Sequence, residues 1–138
     1  MKIYSINNET NVNIALSNAT IKAGFPSPAA EYQDEFLNLN NLLIKNKEAT
    51  FLVKVSGNSM IDANIHEGDI LIVDKSLDAT HGKIIIAVVD GDFTVKILYH
   101  KNNILKLIPA NPEYPEIILK NEQELNIWGV VTYIIHKT

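Results

Sequence analysis

At 138 residues and 46% hydrophobic content, the chain has the length of one domain with a real but modest core, and nothing calls for a second. It has no cysteine, which excludes disulfides, a thiol nucleophile and cysteine-ligated metals. The net charge is −4 and every one of the 12 residues counted as Lys or Arg is a lysine, so the arginine forks that most often read bases are missing and sequence-specific DNA binding is not expected.

The opening Met1-Lys2-Ile3-Tyr4-Ser5-Ile6-Asn7-Asn8 lacks the apolar stretch of a signal peptide, and no apolar run approaches the roughly 20 residues of a membrane span. A cytoplasmic protein with no membrane partner is the expectation. Residues 1–28 read as a flexible, weakly structured arm. Lys2 to Thr10 shows some strand-like alternation, whereas Asn11 to Thr20 scatters Val12, Ile14 and Leu16 among Asn, Ser and Thr. Pro26 and Pro28 stiffen an extended segment and forbid a helix across it. From about Tyr32 to Lys45, Phe36, Leu39, Leu42 and Leu43 recur at spacings of three and four, which predicts a short helix with one core-facing stripe.

Beyond Thr50 the pattern is β. Strands are predicted at Phe51–Val55, Asp69–Val73, Lys83–Val89, Phe93–Tyr99, Ile104–Ile108, Ile117–Leu119 and Trp128–His136, separated by turns carrying Gly, Asn, Asp or Pro. The fold class is therefore mainly β, a compact and mostly antiparallel domain over residues 29–138 with one short N-terminal helix.

Two residues in this β region suggest chemistry. Ser59 lies in Val55-Ser56-Gly57-Asn58-Ser59-Met60-Ile61, and Lys96 lies in Asp92-Phe93-Thr94-Val95-Lys96-Ile97-Leu98. A serine hydroxyl becomes a nucleophile only when a base takes its proton, and lysine is such a base only while neutral. Bringing a lysine pKa from about 10.4 to about 7.5 takes roughly 4 kcal/mol of destabilisation of the ammonium form, which only an apolar site supplies. Strand alternation puts Thr94, Lys96 and Leu98 on one face and Phe93, Val95 and Ile97 on the other. On these residues alone, a surface lysine and a serine belonging merely to the Gly57-Asn58 turn are the simpler readings. His66, His81, His100 and His136 show no metal-ligand spacing, and His66 and His81 adjoin turn signals as solvated loop histidines do, so no metal or cofactor is expected.

Longer blocks carry more information than the pair. Ala23-Gly24-Phe25-Pro26-Ser27-Pro28-Ala29-Ala30, Leu39-Asn40-Asn41-Leu42-Leu43-Ile44, Val53 to Asp62, Glu67 to Asp74, Val89 to Lys96, Leu107 to Pro112 and Ile127 to Val131 follow one another in a familiar order. From Gly24 to its end the chain resembles the UmuD and LexA group of self-cleaving serine peptidases, and within it the UmuD type. A LexA-type repressor would carry a helix-turn-helix domain before the cleavage segment, and residues 1–23 are too few and too polar to build one.

The resemblance implies a LexA- or signal-peptidase-like β domain, with Ser59 as nucleophile and Lys96 as base. It further implies an oxyanion site at the Ser59 backbone, supported by Met60 in the nucleophile turn. The implied substrate is the chain's own Ala23–Gly24 bond, whose small residues let a carbonyl approach a serine closely; without the resemblance it is an ordinary joint before a proline segment. Implied partners are a second copy of the chain in a homodimer, a RecA filament on single-stranded DNA that stimulates cleavage, and an error-prone Y-family, UmuC-like polymerase subunit. Two alternatives keep the fold but change the role: a noncatalytic dimerisation and polymerase-binding module, or a repressor-like regulator without its DNA-binding half. A signal peptidase uses similar Ser-Lys chemistry but works at a membrane from an N-terminal anchor.

Overall fold

The long apolar runs of the C-terminal two-thirds form a sheet covered on both sides. The computed structural model describes residues 2–5, 13–17, 23–24, 34–120 and 125–138. Ten strands occur among them: β1 Lys2–Ser5, β2 Asn13–Ser17, β3 Asp34–Asn38, β4 Thr50–Lys54, β5 Ile70–Asp74, β6 Ile84–Val89, β7 Asp92–Lys101, β8 Ile104–Ile108, β9 Ile117–Leu119 and β10 Asn126–Ile135. Eight of them make one antiparallel sheet in the order β1-β4-β5-β10-β6-β7-β8-β9, and β2 pairs with β3 separately. The predicted mainly β class, and each strand predicted after Thr50, is found within a residue or two of its expected bounds.

Alternation explains how β6 tolerates an unbroken Ile84-Ile85-Ile86-Ala87-Val88-Val89 run. Ile86 joins Val53, Leu71, Val73 and Val95 in one core cluster. Its neighbours Ile85 and Ala87 join Leu98, Leu105, Leu107 and Val130 in another. Both faces of the strand are thus buried, with Ile84 and Ile86 facing one cluster and Ile85, Ala87 and Val89 the other. The hairpin from β6 to β7 closes through Asp90 and Gly91, both at positive φ (50° and 83°), the geometry of a two-residue type I′ turn. That turn fixes the register and sets Lys96 opposite the fully buried Ile85. Asn102 and Asn103, at φ 52° and 61°, close the next hairpin in the same way.

Two compact units result: Met1–Ile6 with Asn46–Thr138, and Asn7–Lys45. The smaller one corrects the sequence reading. Instead of a helix from Tyr32 to Lys45, Asp34–Asn38 is a strand paired with Asn13–Ser17, and the helix, α1, is confined to Leu39–Leu43. Asn38 is the cause at the helix start, since its Oδ1 accepts from the Asn40 N–H at 2.9 Å and caps the first turn there. The expected stripe is not core: Phe36 is 78% exposed. Lys2–Ser5 and Asn13–Ser17 are likewise regular strands within the segment expected to be weakly structured. Lys2–Ser5 pairs with Thr50–Lys54 in the large sheet, and Asn13–Ser17 pairs with Asp34–Asn38. The proline segment from Pro26 to Pro28 and the start of the predicted helix at Tyr32 lie outside the described residues.

β10 holds the large sheet together by pairing with β5 on one side and β6 on the other, with register shifts at Ile127/Gly129 and Val131/Tyr133. At the first shift the backbone of Gly129 presses so closely on β5 that an added Cβ would stand 2.5 Å from Val73 Cγ1 and 3.3 Å from the Asp74 carbonyl oxygen. Gly129→Ala is therefore expected to destabilise the protein by about 1–3 kcal/mol. Urea denaturation checks this, and an unchanged midpoint would show that the sheet yields there.

Candidate active site

β7 brings Lys96 under cover while leaving its amine one direction to point. Val95 packs into the first core cluster and Leu98 into the second, so the strand between them is enclosed, and Lys96 is only 9% exposed. Its Nζ donates to Thr94 Oγ1 at 2.8 Å, to the Val95 carbonyl at 3.0 Å and to Ser59 Oγ at 3.1 Å. Burial pushes the Lys96 pKa down from the ordinary lysine value, because the ammonium loses its water. No carboxylate figures among these contacts to oppose that shift.

The three contacts suit either protonation state. An ammonium donates to all three oxygens. A neutral amine has two N–H groups, matched by Thr94 Oγ1 and the Val95 carbonyl, and one lone pair left for the Ser59 hydroxyl proton. The second state has the hydrogen-bond direction that general-base catalysis requires.

Ser59 is presented by a turn that other elements brace. The β4–β5 ladder continues through Val55 N–H to the Asp69 carbonyl (2.8 Å) and Gly68 N–H to the Val55 carbonyl (2.9 Å). Gly57 then turns the chain at φ 90°, a conformation that favours glycine, and Ser59 and Met60 follow. Met60 is 2% exposed, and its carbonyl accepts from Ala63 and Ile65 N–H groups. The 109–114 loop clamps the turn from outside. Asn111 Nδ2 donates to the Asn58 carbonyl at 2.9 Å, Asp62 N–H donates to the Ala110 carbonyl at 2.8 Å, and the Ala110 N–H lies 3.4 Å from Met60 Sδ. Beside the pair opens a cleft of about 150 Å³, lined by Val55, Ser56, Gly57, Ser59, Met60, Phe93, Thr94 and Val95.

Of the residues singled out in the sequence, Ser59, Lys96 and Met60 thus lie in one place. Ala23 and Gly24 belong to the smaller unit, where they form an exposed bend, with open space around the Gly24 Cα. Thr94 was legible as a neighbour of Lys96 on one strand face, but not as its hydrogen-bond partner. Asn111 was hidden, because its contact with Asn58 joins segments far apart in sequence. His81 accepts from the His100 N–H at 3.1 Å, and His66 makes its contacts with Asp69 and His136.

A family model described as peptidase S24-like matches residues 15–132. The chain belongs to that family. Protein SamA of Salmonella typhimurium is 49% identical over 116 residues, covering 84% of this chain and 80% of SamA. Protein MucA of Escherichia coli is 44% identical over 114 residues, covering 82% of this chain and 77% of MucA. A LexA repressor from Sodalis glossinidius is 38% identical over 116 residues, which are 83% of this chain and 57% of that repressor. The resemblance to the UmuD type of the LexA and UmuD group is borne out, and with it the S24-like β fold. Among the described residues, no helix is long and apolar enough to cross a membrane.

Burial of Lys96 has a thermodynamic signature independent of catalysis. With its folded pKa depressed below the unfolded 10.5, the folded state carries the desolvation penalty at neutral pH and sheds it as pH rises toward 10.5. Lys96→Met, which keeps the side-chain length without the charge, is expected to be more stable than the native protein by about 1 kcal/mol at neutral pH. The advantage should shrink as pH approaches the ordinary lysine range. Urea titrations across pH measure both proteins, and a pH-independent difference would contradict a desolvated ammonium.

Proposed function

We propose that this chain is a self-cleaving serine endopeptidase that cuts its own Ala23–Gly24 bond, with Ser59 as nucleophile and Lys96 as general base. The observation that carries the reading is the 3.1 Å contact between Lys96 Nζ and Ser59 Oγ, made by a buried lysine whose pKa is lowered. Membership of the S24-like family supports it.

In the proposed reaction, neutral Lys96 accepts the Ser59 proton as Ser59 Oγ attacks the Ala23 carbonyl carbon. The backbone N–H of Ser59, with a neighbouring amide of the turn held by Met60, receives the developing oxyanion. Collapse of the tetrahedral intermediate breaks the Ala23–Gly24 C–N bond. Lys96 returns the proton to the Gly24 nitrogen, leaving an ester between Ala23 and Ser59. Water, deprotonated by Lys96, then hydrolyses that ester and frees Ser59. Residues 1–28 serve as the arm carrying the scissile bond, and residues 29–138 as the peptidase domain.

Biologically, the reading places the protein in the cytoplasmic DNA-damage (SOS) response. A RecA filament on single-stranded DNA stimulates cleavage by favouring the docked arm, and the shortened homodimer serves as accessory subunit of an error-prone Y-family, UmuC-like polymerase. These assignments rest on the UmuD-type resemblance and on relatives such as MucA and SamA.

Intact-mass spectrometry after incubation at about pH 10, where more Lys96 is neutral, tests the chemistry. The native chain is expected to yield two fragments divided between Ala23 and Gly24, faster than at neutral pH. Ser59→Ala should leave it whole, and Lys96→Ala should slow cleavage by about 100- to 10,000-fold. If the native chain stays intact there, and again with activated RecA filaments at neutral pH, the noncatalytic binding module replaces this reading.

A further inference from the structure

The register of β10 on β5 sets Ile135 opposite Ile70, so the next residue, His136, arrives beside Asp69 at the sheet's end. His66 reaches the same point from the turn before β5, its backbone N–H donating to Asp69 Oδ2 at 2.8 Å. The two imidazole rings lie 5.1 Å apart, tilted by 43°, on either side of one carboxylate. One ligand atom from each of the three residues lies within 4.8 Å of the others.

Two features of this cluster are not explained by packing. Asp69 is 3% exposed, so its carboxylate is enclosed between the two histidines, with one oxygen taking the His66 backbone N–H at 2.8 Å and the other 2.6 Å from His136 Nδ1. Meanwhile His66 Nδ1 is buried and has no hydrogen-bond partner among the described residues; Asp69 Oδ2 stands 3.7 Å from it, too far for a hydrogen bond. An unpaired buried nitrogen facing a carboxylate leaves a donor–acceptor set that one cation would complete.

We propose that His66, Asp69 and His136 form a binding site for a divalent transition-metal ion of the zinc class. Two imidazole nitrogens and one carboxylate oxygen are a recurrent ligand set for such ions, with water in the fourth position. Zinc bonds of about 2.1 Å in tetrahedral arrangement separate ligand atoms by about 3.4 Å, close to the 3.7 Å between His66 Nδ1 and Asp69 Oδ2. On the other side, His136 Nδ1 lies at 2.6 Å from Asp69 Oδ1, a hydrogen bond that the metal replaces. The proton shared there moves to His136 Nε2, or to solvent when that nitrogen already holds one, and Nδ1 and the carboxylate each bind the ion. Bound metal ties the end of β10 to the 66–69 turn, whose Asp69 carbonyl also accepts from Val55 at the entry to the Ser59 turn.

The test uses the untagged full chain, freed of metal with chelator and titrated with zinc chloride by calorimetry. One zinc ion per chain is expected. The same protein loaded with cobalt(II) should show the visible bands of a tetrahedral site. The His66 and His136 side chains are 43% and 52% exposed, so His66→Gln and His136→Gln are expected to keep the fold, which circular dichroism verifies. Each should weaken zinc by more than the roughly 10- to 100-fold that loss of an outer-shell partner costs and remove the cobalt bands, while His81→Gln at the other histidine pair changes neither. Absence of zinc binding, equal binding by the His66 and His136 variants, or loss of binding on His81→Gln each overturns the site.

Discussion

A lysine amine with little water around it is the constraint on which this molecule turns. Lys96 needs apolar cover to lose its solvent and polar partners to remain soluble in the core, and the two needs pull against each other. Thr94 Oγ1 and the Val95 carbonyl supply polar partners from the lysine's own strand without adding charge. A carboxylate at those positions would have stabilised the ammonium and raised the pKa; a hydroxyl and a carbonyl leave desolvation as the leading effect. The third partner is then Ser59, the group whose proton a neutral lysine can accept.

Such a position on a strand requires burial on both faces, which is why the sheet has two core clusters. If β7 lay on a sheet with one solvated face, the Thr94–Lys96–Leu98 side would be wet and the amine would titrate as a surface lysine. Instead Leu98 is 1% exposed and Val95 7%, on opposite sides of the strand. The type I′ turn at Asp90-Gly91 holds this arrangement, since a register slip of one residue would exchange the two faces and carry Lys96 away from Ser59.

What could be read from the sequence divides along the same physical line. Strands after Thr50 were legible because their apolar runs and turn residues are local signals, and Ser59 and Lys96 were legible because ordered blocks around them resemble a known family. The helix at Tyr32–Lys45 was misread because leucine spacing registers periodicity but not pairing: Asp34–Asn38 is committed to a strand by its partner Asn13–Ser17, and Asn38 caps the helix that remains. Asn111, clamped to the Asn58 carbonyl, and the His66–Asp69–His136 cluster are products of tertiary register. Nothing in local composition distinguishes those histidines from the solvated loop residues they resembled.

If the pair cleaves the chain as proposed, its preformed geometry also bears on how such a chain avoids destroying itself at once. On the proposed reading, reacting groups already within hydrogen-bond distance leave no assembly step to regulate, so restraint must come from the fraction of lysine that is neutral and from delivery of the bond to be cut. The two factors multiply, so a partner that favours only the docked arm recovers one of them and leaves the other in place. Raising the pH acts on the first factor and leaves the second untouched. On the proposed reading, alkaline conditions and a stimulating partner therefore accelerate the same cut by separate routes, and their effects combine as a product until either factor saturates.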